Sequence, residues 1–219
     1  MDAEFYLFGS LISGDIDAGS DVDILAVVAD GTMRTGIPEG WSVYTAAKIR
    51  EIFARGTLFA WHVYLESKLV FPANSKGILA ELGPPADYEN AKYEVAELKA
   101  LAERAIAALS SGTPSKVFEH GLLYLAARDI AMAASKWVNG EFNFSKYAAL
   151  QLRELPLPLT RQEYEFLMNC RRASVRGTAL TWQPQLECTI KEKWILLVEW
   201  CHRVYSAIGN ESVSEKNRC

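Results

Sequence analysis

Short apolar runs alternate with amphipathic stretches in the first 83 residues of this 219-residue chain. Residues that alternate between apolar and polar predict a half-buried strand, whereas apolar residues spaced three or four apart predict a helix. The predicted strands are residues 4–8, 21–28, 41–45 and 68–71. The predicted helices are residues 48–55, 57–66 and 75–82. The second of these could also form a strand, although its length and the flanking Gly56 favour a helix.

The strand pattern ends near Gly83-Pro84-Pro85. Beyond it, long segments rich in Ala, Glu and Leu predict helices, and Thr, Ser, Gly and Asn mark their ends. These helices are residues 88–110, 115–138, 145–152, 160–176 and 187–208. We therefore predict an α+β protein with a small α/β domain over residues 1–83 and an all-α helical bundle over residues 84–219. About ten residues at the end are polar, and we expect them to be disordered.

Composition narrows the class of protein. Half of the residues are hydrophobic, which predicts a globular chain, and the net charge of −4 argues against broad, nonspecific binding of nucleic acid. The four cysteines are scattered without a C-x-x-C pair, so we expect reduced thiols and neither a disulfide framework nor a zinc site. No leader pattern and no apolar run of about 20 residues is present. These features predict a cytoplasmic protein without a membrane partner.

The candidate chemistry lies in the segment YLFGSLISGDIDAGSDVDILAVV. Side chains repeat every two residues along a strand, so Asp21 and Asp23 are expected on one face, with Val22 between them pointing into the core. Two converging carboxylates are hard oxygen ligands that suit Mg²⁺. Gly9 allows the backbone to approach a phosphate closely, and the Ser10 hydroxyl can hold phosphate oxygens. A metal ion beside a phosphate-binding turn is the arrangement that catalysis of nucleotidyl transfer requires.

These residues also resemble a known signature. Gly9-Ser10, Gly14, Asp15 and the run from Ser20 to Leu25 are similar to the motif of the polymerase-beta-type nucleotidyltransferase superfamily. The step of eleven residues from Ser10 to Asp21 resembles its minimal nucleotidyltransferase branch most closely. The layout of the second half resembles the helical domains of HEPN proteins and of aminoglycoside nucleotidyltransferases.

The resemblance implies a small mixed-sheet nucleotidyltransferase domain and a set of roles. Asp21 and Asp23 would be the catalytic residues and would hold Mg²⁺. Gly9, Ser10 and Ser20 would bind a nucleoside triphosphate, with ATP expected because it is the commonest donor in the family. The reaction would transfer a nucleoside monophosphate to a hydroxyl of a small molecule, a protein or an RNA end.

The signature departs from the family at one position. Relatives carry a third carboxylate on the strand after the acidic pair, and alignment of residues 41–45 with that strand places Tyr44 at the third-acid position. No Asp or Glu lies between Trp41 and Arg50. Glu39 and Glu66 are alternative carboxylates, although both could equally be solvated surface residues.

Other polar residues have two interpretations. His120, Tyr124 and Arg128 are spaced i, i+4, i+8 and so share one helix face. They could line a substrate cleft, or they could form a helix edge with Arg128 paired to a local acid such as Asp129. The isolated histidines His62 and His202 are predicted to be structural.

Two functional classes remain open from the sequence. The first is a Mg²⁺-dependent nucleotidyltransferase. The second is a catalytically impaired protein of the same fold that binds nucleotide or protein, as an antitoxin-like module would. In either case we expect the helical domain to pair with a second copy or with a partner protein.

Overall fold

The computed structural model describes residues 3–14, 16, 21–31, 36–72 and 76–209. The chain forms two compact units. The first comprises Met1–Asn90 and Phe144–Lys146, and the second comprises Ala91–Asn143 and Tyr147–Cys219. Among the residues that the structure describes, the first unit holds the strands and the second consists of helices and loops, so the predicted α+β class is confirmed. Within the described residues, no helix is both long and apolar enough to cross a membrane.

The first unit is built on a four-stranded mixed sheet. Its strands are β1 (Ala3–Phe8), β2 (Asp23–Val28), β3 (Ser42–Thr45) and β4 (Ser67–Phe71). The order across the sheet is β3-β2-β1-β4. β1 pairs antiparallel with β2 and β4, whereas β2 and β3 run parallel. β1 therefore occupies an interior position, with a partner on each side.

Four short helices accompany this sheet. They are α1 (Ser10–Ser13), α2 (Ala46–Ala54), α3 (Leu58–Leu65) and α4 (Ile78–Leu82). Thr45 and Thr57 cap α2 and α3, because each hydroxyl accepts a hydrogen bond from the backbone N–H three residues later. Residues 57–66, which could also have formed a strand, therefore form a helix, as their length favoured. Apolar side chains of β2, α2 and α3 meet in one core that includes Leu25, Ile49 and Val63.

The segment after Gly83 packs on the first unit. The Ala86 amide donates to the Phe53 carbonyl at 2.9 Å, and Trp61 Nε1 donates to the Ala86 carbonyl at 3.0 Å. A Cβ atom on Gly56 would lie 2.2 Å from the Ala86 carbonyl oxygen. The backbones at Gly56 and Ala86 are therefore packed too closely to admit a side chain at residue 56. These contacts explain why the first unit runs to Asn90, beyond the boundary that the sequence placed after Gly83.

In its described residues, the second unit contains five α-helices and one short 3-10 helix, Ala148–Gln151. The α-helices are α5 (Ala91–Ser110), α6 (Lys116–Asn139), α7 (Arg161–Arg176), α8 (Pro184–Glu192) and α9 (Trp194–Ala207). One continuous helix predicted over residues 187–208 is therefore wrong, since the chain turns at Lys193. Lys193 Nζ contacts both carboxylate oxygens of Glu163 in α7, at 2.8 and 2.7 Å. The turn places this ammonium group against the buried Glu163.

Candidate functional site

The turn after β1 meets the start of β2 at one end of the sheet. Phe8 and Asp23 are direct partners in the antiparallel ladder, so Gly9 follows immediately beside Asp23. Gly9 has φ 71° and ψ −144°, a backbone conformation that is essentially restricted to glycine. A Cβ atom on Gly9 would lie 3.0 Å from Asp23 Oδ2. The two halves of the predicted motif are thus in contact.

The acidic pair is arranged differently from the expectation. β2 begins at Asp23, so Asp21 and Val22 precede the strand and its alternation does not extend to them. Val22 is 56% exposed, and its predicted place in the core is wrong. Asp21 and Asp23 are both exposed. They can carry negative charge in contact with water, which suits carboxylates that bind a cation.

The structure describes Ser10, one of the two serines predicted to bind nucleotide, but not Ser20. Ser10 is the half-buried first residue of α1, directly after Gly9. The Gly9 carbonyl accepts hydrogen bonds from the Ile12 and Ser13 amides at 2.9 and 3.1 Å, which fixes the turn. Gly14 ends α1 in the left-handed conformation. Ser20, predicted to bind nucleotide, and Asp15 lie outside the described residues.

Tyr44 lies further along the sheet. β3 pairs with β2 in a register that places Tyr44 opposite Val27, and Val27 is four residues beyond Asp23. At about 3.3 Å per residue, the Tyr44 position is about 13 Å along the strand from that of Asp23. The Tyr44 ring stacks on Phe59 with 5.3 Å between centroids and packs against the core of the first unit. These contacts support a packing role, and the assignment of Tyr44 to the third-acid position stays a prediction.

Glu66 is the carboxylate residue that β4 brings to the same end of the sheet as Gly9 and Asp23. It caps the C-terminus of α3, and Ser67, the next residue, pairs with Phe8. The Gly9 amide donates to the Glu66 carbonyl at 3.1 Å. The Glu66 side chain is 24% exposed. Glu39, the other alternative, is exposed in the turn before β3.

His62 stands beside Glu66. Its ring is stacked on Phe144 at 4.4 Å and meets Phe8 edge-on at 5.6 Å, and all three belong to the first unit. His62 Nε2 lies 3.4 Å from Glu66 Oε2. The i, i+4 spacing of His62 and Glu66 on a predicted helix is the sequence signal that could have paired them.

The predicted stripe of the second unit is mostly buried. His120 is 1% and Tyr124 is 4% exposed. The His120 ring lies edge-on to Phe166 and Trp182, and burial lowers the pKa of His120. Its Nδ1 lies 2.7 Å from the Lys116 carbonyl, which can only accept, so we assign the proton to Nδ1.

Arg128 is the most exposed member of the stripe. Arg128 Nε donates to Asp129 Oδ1 at 2.7 Å, which is the pairing that the sequence offered as an alternative. Its side chain is 31% exposed, and its guanidinium lies 5.6 Å from the Tyr124 ring centre. A substrate-binding role for His120, Tyr124 and Arg128 stays a prediction.

The donor set can be compared with what Mg²⁺ requires. Within the part of the chain that the structure describes, no three His, Cys, Asp or Glu side chains form a ready-made metal cluster. Mg²⁺ usually binds through one or two carboxylates and completes its shell with water and substrate phosphate oxygens. Asp23 beside the Gly9 turn, with the exposed Asp21 two residues earlier in the chain, fits that mode of binding.

The sequence and the structure can be compared with those of known proteins. Residues 2–82 match the family model described as "Nucleotidyltransferase domain". The structure is also similar to that of spectinomycin adenyltransferase AAD(9) from Enterococcus faecialis, solved with ATP and spectinomycin. That likeness has a TM-score of 0.47 and 12% sequence identity, and covers 91% of each chain. No curated protein sequence matches the chain. The predicted resemblance to the nucleotidyltransferase superfamily is thus confirmed for the N-terminal part of the chain.

Proposed function

We propose that this protein is a Mg²⁺-dependent nucleotidyltransferase that acts in the cytoplasm. It moves a nucleoside monophosphate from a nucleoside triphosphate, with ATP as the expected donor, to a hydroxyl acceptor. The observation that carries this proposal is the contact between Gly9 and Asp23 within a matched nucleotidyltransferase domain. An ordinary hairpin needs neither a glycine-only conformation nor an exposed carboxylate at that point.

We assign binding of the nucleotide phosphates to the turn at Gly9 and Ser10. Because Gly9 has no side chain, a phosphate group can approach its backbone without meeting a Cβ atom. Ser10 adds a hydroxyl directly after the turn, and Ser20 is proposed to add a second hydroxyl. Hydroxyl groups donate to phosphate oxygens without adding charge.

The cation side is assigned to Asp21 and Asp23. Both carboxylates are exposed, so they can face a cation without the cost of burying a charge. When bound, Mg²⁺ would neutralise the negative charge of the triphosphate and of the departing pyrophosphate. Removal of either carboxylate should therefore weaken nucleotide binding that depends on the cation.

The base is assigned to Glu66. The acceptor hydroxyl oxygen attacks the α-phosphorus, the bond from that phosphorus to the bridging oxygen of the β-phosphate breaks, and pyrophosphate leaves. The hydroxyl proton passes to the Glu66 carboxylate. The support for this role is that the Glu66 backbone is hydrogen-bonded to Gly9, at the end of the sheet that carries Asp23, and a base must lie within hydrogen-bond reach of the proton that it takes.

The acceptor belongs to one of three classes: a small hydroxylated molecule, a protein side chain or an RNA end. Among His120, Tyr124 and Arg128, Arg128 is the best candidate for a substrate contact, because it retains the largest exposed fraction.

A labelling experiment tests the proposal. The protein is incubated with each α-³²P-labelled nucleoside triphosphate and Mg²⁺, with and without cell extract, and labelled products are identified. We expect transfer by the wild type and by Glu39→Gln, an exposed carboxylate control. Asp23→Asn should abolish transfer. Equal labelling by Asp23→Asn and the wild type would exclude the assignment.

The second candidate is a catalytically impaired module that binds nucleotide or a partner protein. The observation that favours it is Tyr44, an aromatic residue packed on Phe59 where the family resemblance calls for an acid. Tight Mg²⁺-dependent ATP binding without labelled product in any extract would support this candidate.

A further inference from the structure

The His62 ring is held between two aromatic rings. It lies in the last turn of α3, with one face of its ring on Phe144 and the ring of Phe8 edge-on to it. Interplanar angles of 19° and 78° describe a stacked contact and a T-shaped contact. Aromatic pairs of these geometries are favourable, so the imidazole has little freedom to turn.

The imidazole presents one nitrogen to Glu66. His62 Nε2 is buried and makes no hydrogen bond within the described part of the chain, yet it lies 3.4 Å from Glu66 Oε2. That separation is slightly longer than an N–H···O hydrogen bond, which spans about 2.7–3.2 Å. A hydrogen bond between the two therefore requires a rotation of the Glu66 side chain.

The Glu66 backbone is fixed from two sides. Its amide donates to the His62 carbonyl at 2.8 Å, and its carbonyl accepts from the Gly9 amide at 3.1 Å. Only the side-chain torsions of Glu66 therefore remain to be set. A donor at His62 Nε2 selects among the rotamers that these torsions allow.

We propose that His62 is a positioning residue, which donates from Nε2 to the Glu66 carboxylate and aims the other oxygen at the acceptor hydroxyl. This inference rests on the proposed function, in which Glu66 takes the hydroxyl proton. The arrangement follows the general pattern in which a third group orients a catalytic base. The contacts with Phe8 and Phe144 orient the His62 ring, and the hydrogen bond from its Nε2 orients the Glu66 carboxylate.

Three variants separate positioning from packing. His62→Leu removes the donor, His62→Gln retains an amide donor, and Glu66→Gln removes the base. Each variant and the double variant His62→Leu/Glu66→Gln is assayed for transfer from labelled ATP to the acceptor that the labelling experiment identifies. Thermal melts are recorded for the same set.

We expect His62→Leu to lower kcat by about 10- to 100-fold, the range for a misplaced catalytic group, with the KM for ATP within about twofold of wild type. His62→Gln should recover most of the rate. The double variant should be no slower than Glu66→Gln alone. Rate losses that multiply in the double variant, or equal losses in His62→Gln and His62→Leu, would overturn the proposal.

The melts distinguish this proposal from the proposed function. A direct contact predicts that the midpoint of the double variant falls by less than the sum of the two single shifts, whether or not the protein is active. Additive shifts would refute the contact and with it the positioning role. If the wild type transfers nothing to any acceptor while the shifts are coupled, the proposed function has failed and His62 positions no base.

Discussion

Gly9 and Asp23 lie so close that a methyl group on Gly9 would sit 3.0 Å from Oδ2 of Asp23. Gly9→Ala would also strain the backbone, because its φ of 71° and ψ of −144° disfavour any Cβ atom. We expect this variant to lose Mg²⁺-dependent ATP binding by at least about tenfold, since a displaced carboxylate and a filled turn both weaken the site. Calorimetric titration of Mg²⁺-ATP measures the change.

Gly14→Ala is the matched control for this substitution. Gly14 also has a positive φ, 81°, but an added Cβ atom would meet nothing within 4 Å. The left-handed conformation should cost about 1–2 kcal/mol of stability and leave ATP affinity unchanged. Equal losses of affinity in the two variants would show that distortion of α1 matters and the Asp23 contact does not.

Asp21→Ala and Asp23→Ala should each abolish Mg²⁺-dependent ATP binding without unfolding the protein. Both side chains are exposed, so their removal opens no cavity in the core. Calorimetry with and without Mg²⁺ measures binding, and circular dichroism checks the fold. Unchanged Mg²⁺-dependent affinity in both variants would rule out the metal assignment.

Tyr44→Asp separates the packing role of Tyr44 from the third-acid role. Because Tyr44 stacks on Phe59 and packs against the core, the new carboxylate should lower the free energy of unfolding by about 2–4 kcal/mol. Metal affinity should not rise, because the position is about 13 Å along the sheet from that of Asp23. A thermal melt and a Mn²⁺ titration of this variant give the two readouts. Tyr44→Phe, which keeps the ring, should melt close to wild type. A gain in Mn²⁺ affinity in Tyr44→Asp would establish the third-acid role.

Gly121→Ala should destabilise the helical unit. An added Cβ atom would lie 2.9 Å from the Arg171 Cα atom, so α6 and α7 would have to separate. Alanine gains about 1 kcal/mol in helix propensity over glycine. We expect the steric cost of overpacking, about 1–3 kcal/mol, to exceed this gain. A raised melting temperature would mean that the two helices can shift apart freely.

Stability should depend on pH through His120. Burial lowers its pKa in the folded state, against the partial opposition of the Lys116 carbonyl and the Glu187 charge. Below about pH 6.5 the unfolded chain takes up a proton that the folded protein resists. The contribution of His120 is therefore complete above that pH and is lost as the pH falls.

Chemical denaturation of wild type and His120→Phe between pH 5 and 8 measures this effect. The slope attributable to His120 cannot exceed about 1.4 kcal/mol per pH unit for one proton. The two proteins differ only at residue 120, so the difference between the two curves isolates His120. Parallel curves would show that the buried imidazole binds its proton as readily in the folded protein as in the unfolded chain.

The sequence predicted local elements well and long-range placement poorly. Gly9 and the acidic pair could be proposed as a site because one short segment of the chain, residues 9–23, carries all three. The break at Lys193 was missed because it is accompanied by a contact with Glu163, 30 residues earlier in the chain. The outward position of Val22 was missed because β2 begins two residues later than the alternation suggests.

The position of Glu66 is a second example of long-range placement that the sequence could not predict. Its neighbourhood depends on the pairing of β4 with β1, which joins segments nearly 60 residues apart. No local pattern fixes that pairing. The sequence could therefore name Glu66 as one of two alternatives but could not select it, whereas the sheet register places it beside Gly9.

The interior position of β1 has a consequence for folding. The β1–β2 hairpin closes a short stretch of chain, but β4 must close a much longer loop before it can add to the other edge of β1. Contacts of large sequence separation carry the greater entropic cost and form more slowly. The hairpin alone unites Gly9 with Asp23, and only the later pairing brings the Glu66 carbonyl to the Gly9 amide. A nascent chain that has left the ribosome only as far as β3 would thus hold Asp23 beside Gly9 before β4 brings in Glu66, the proposed base.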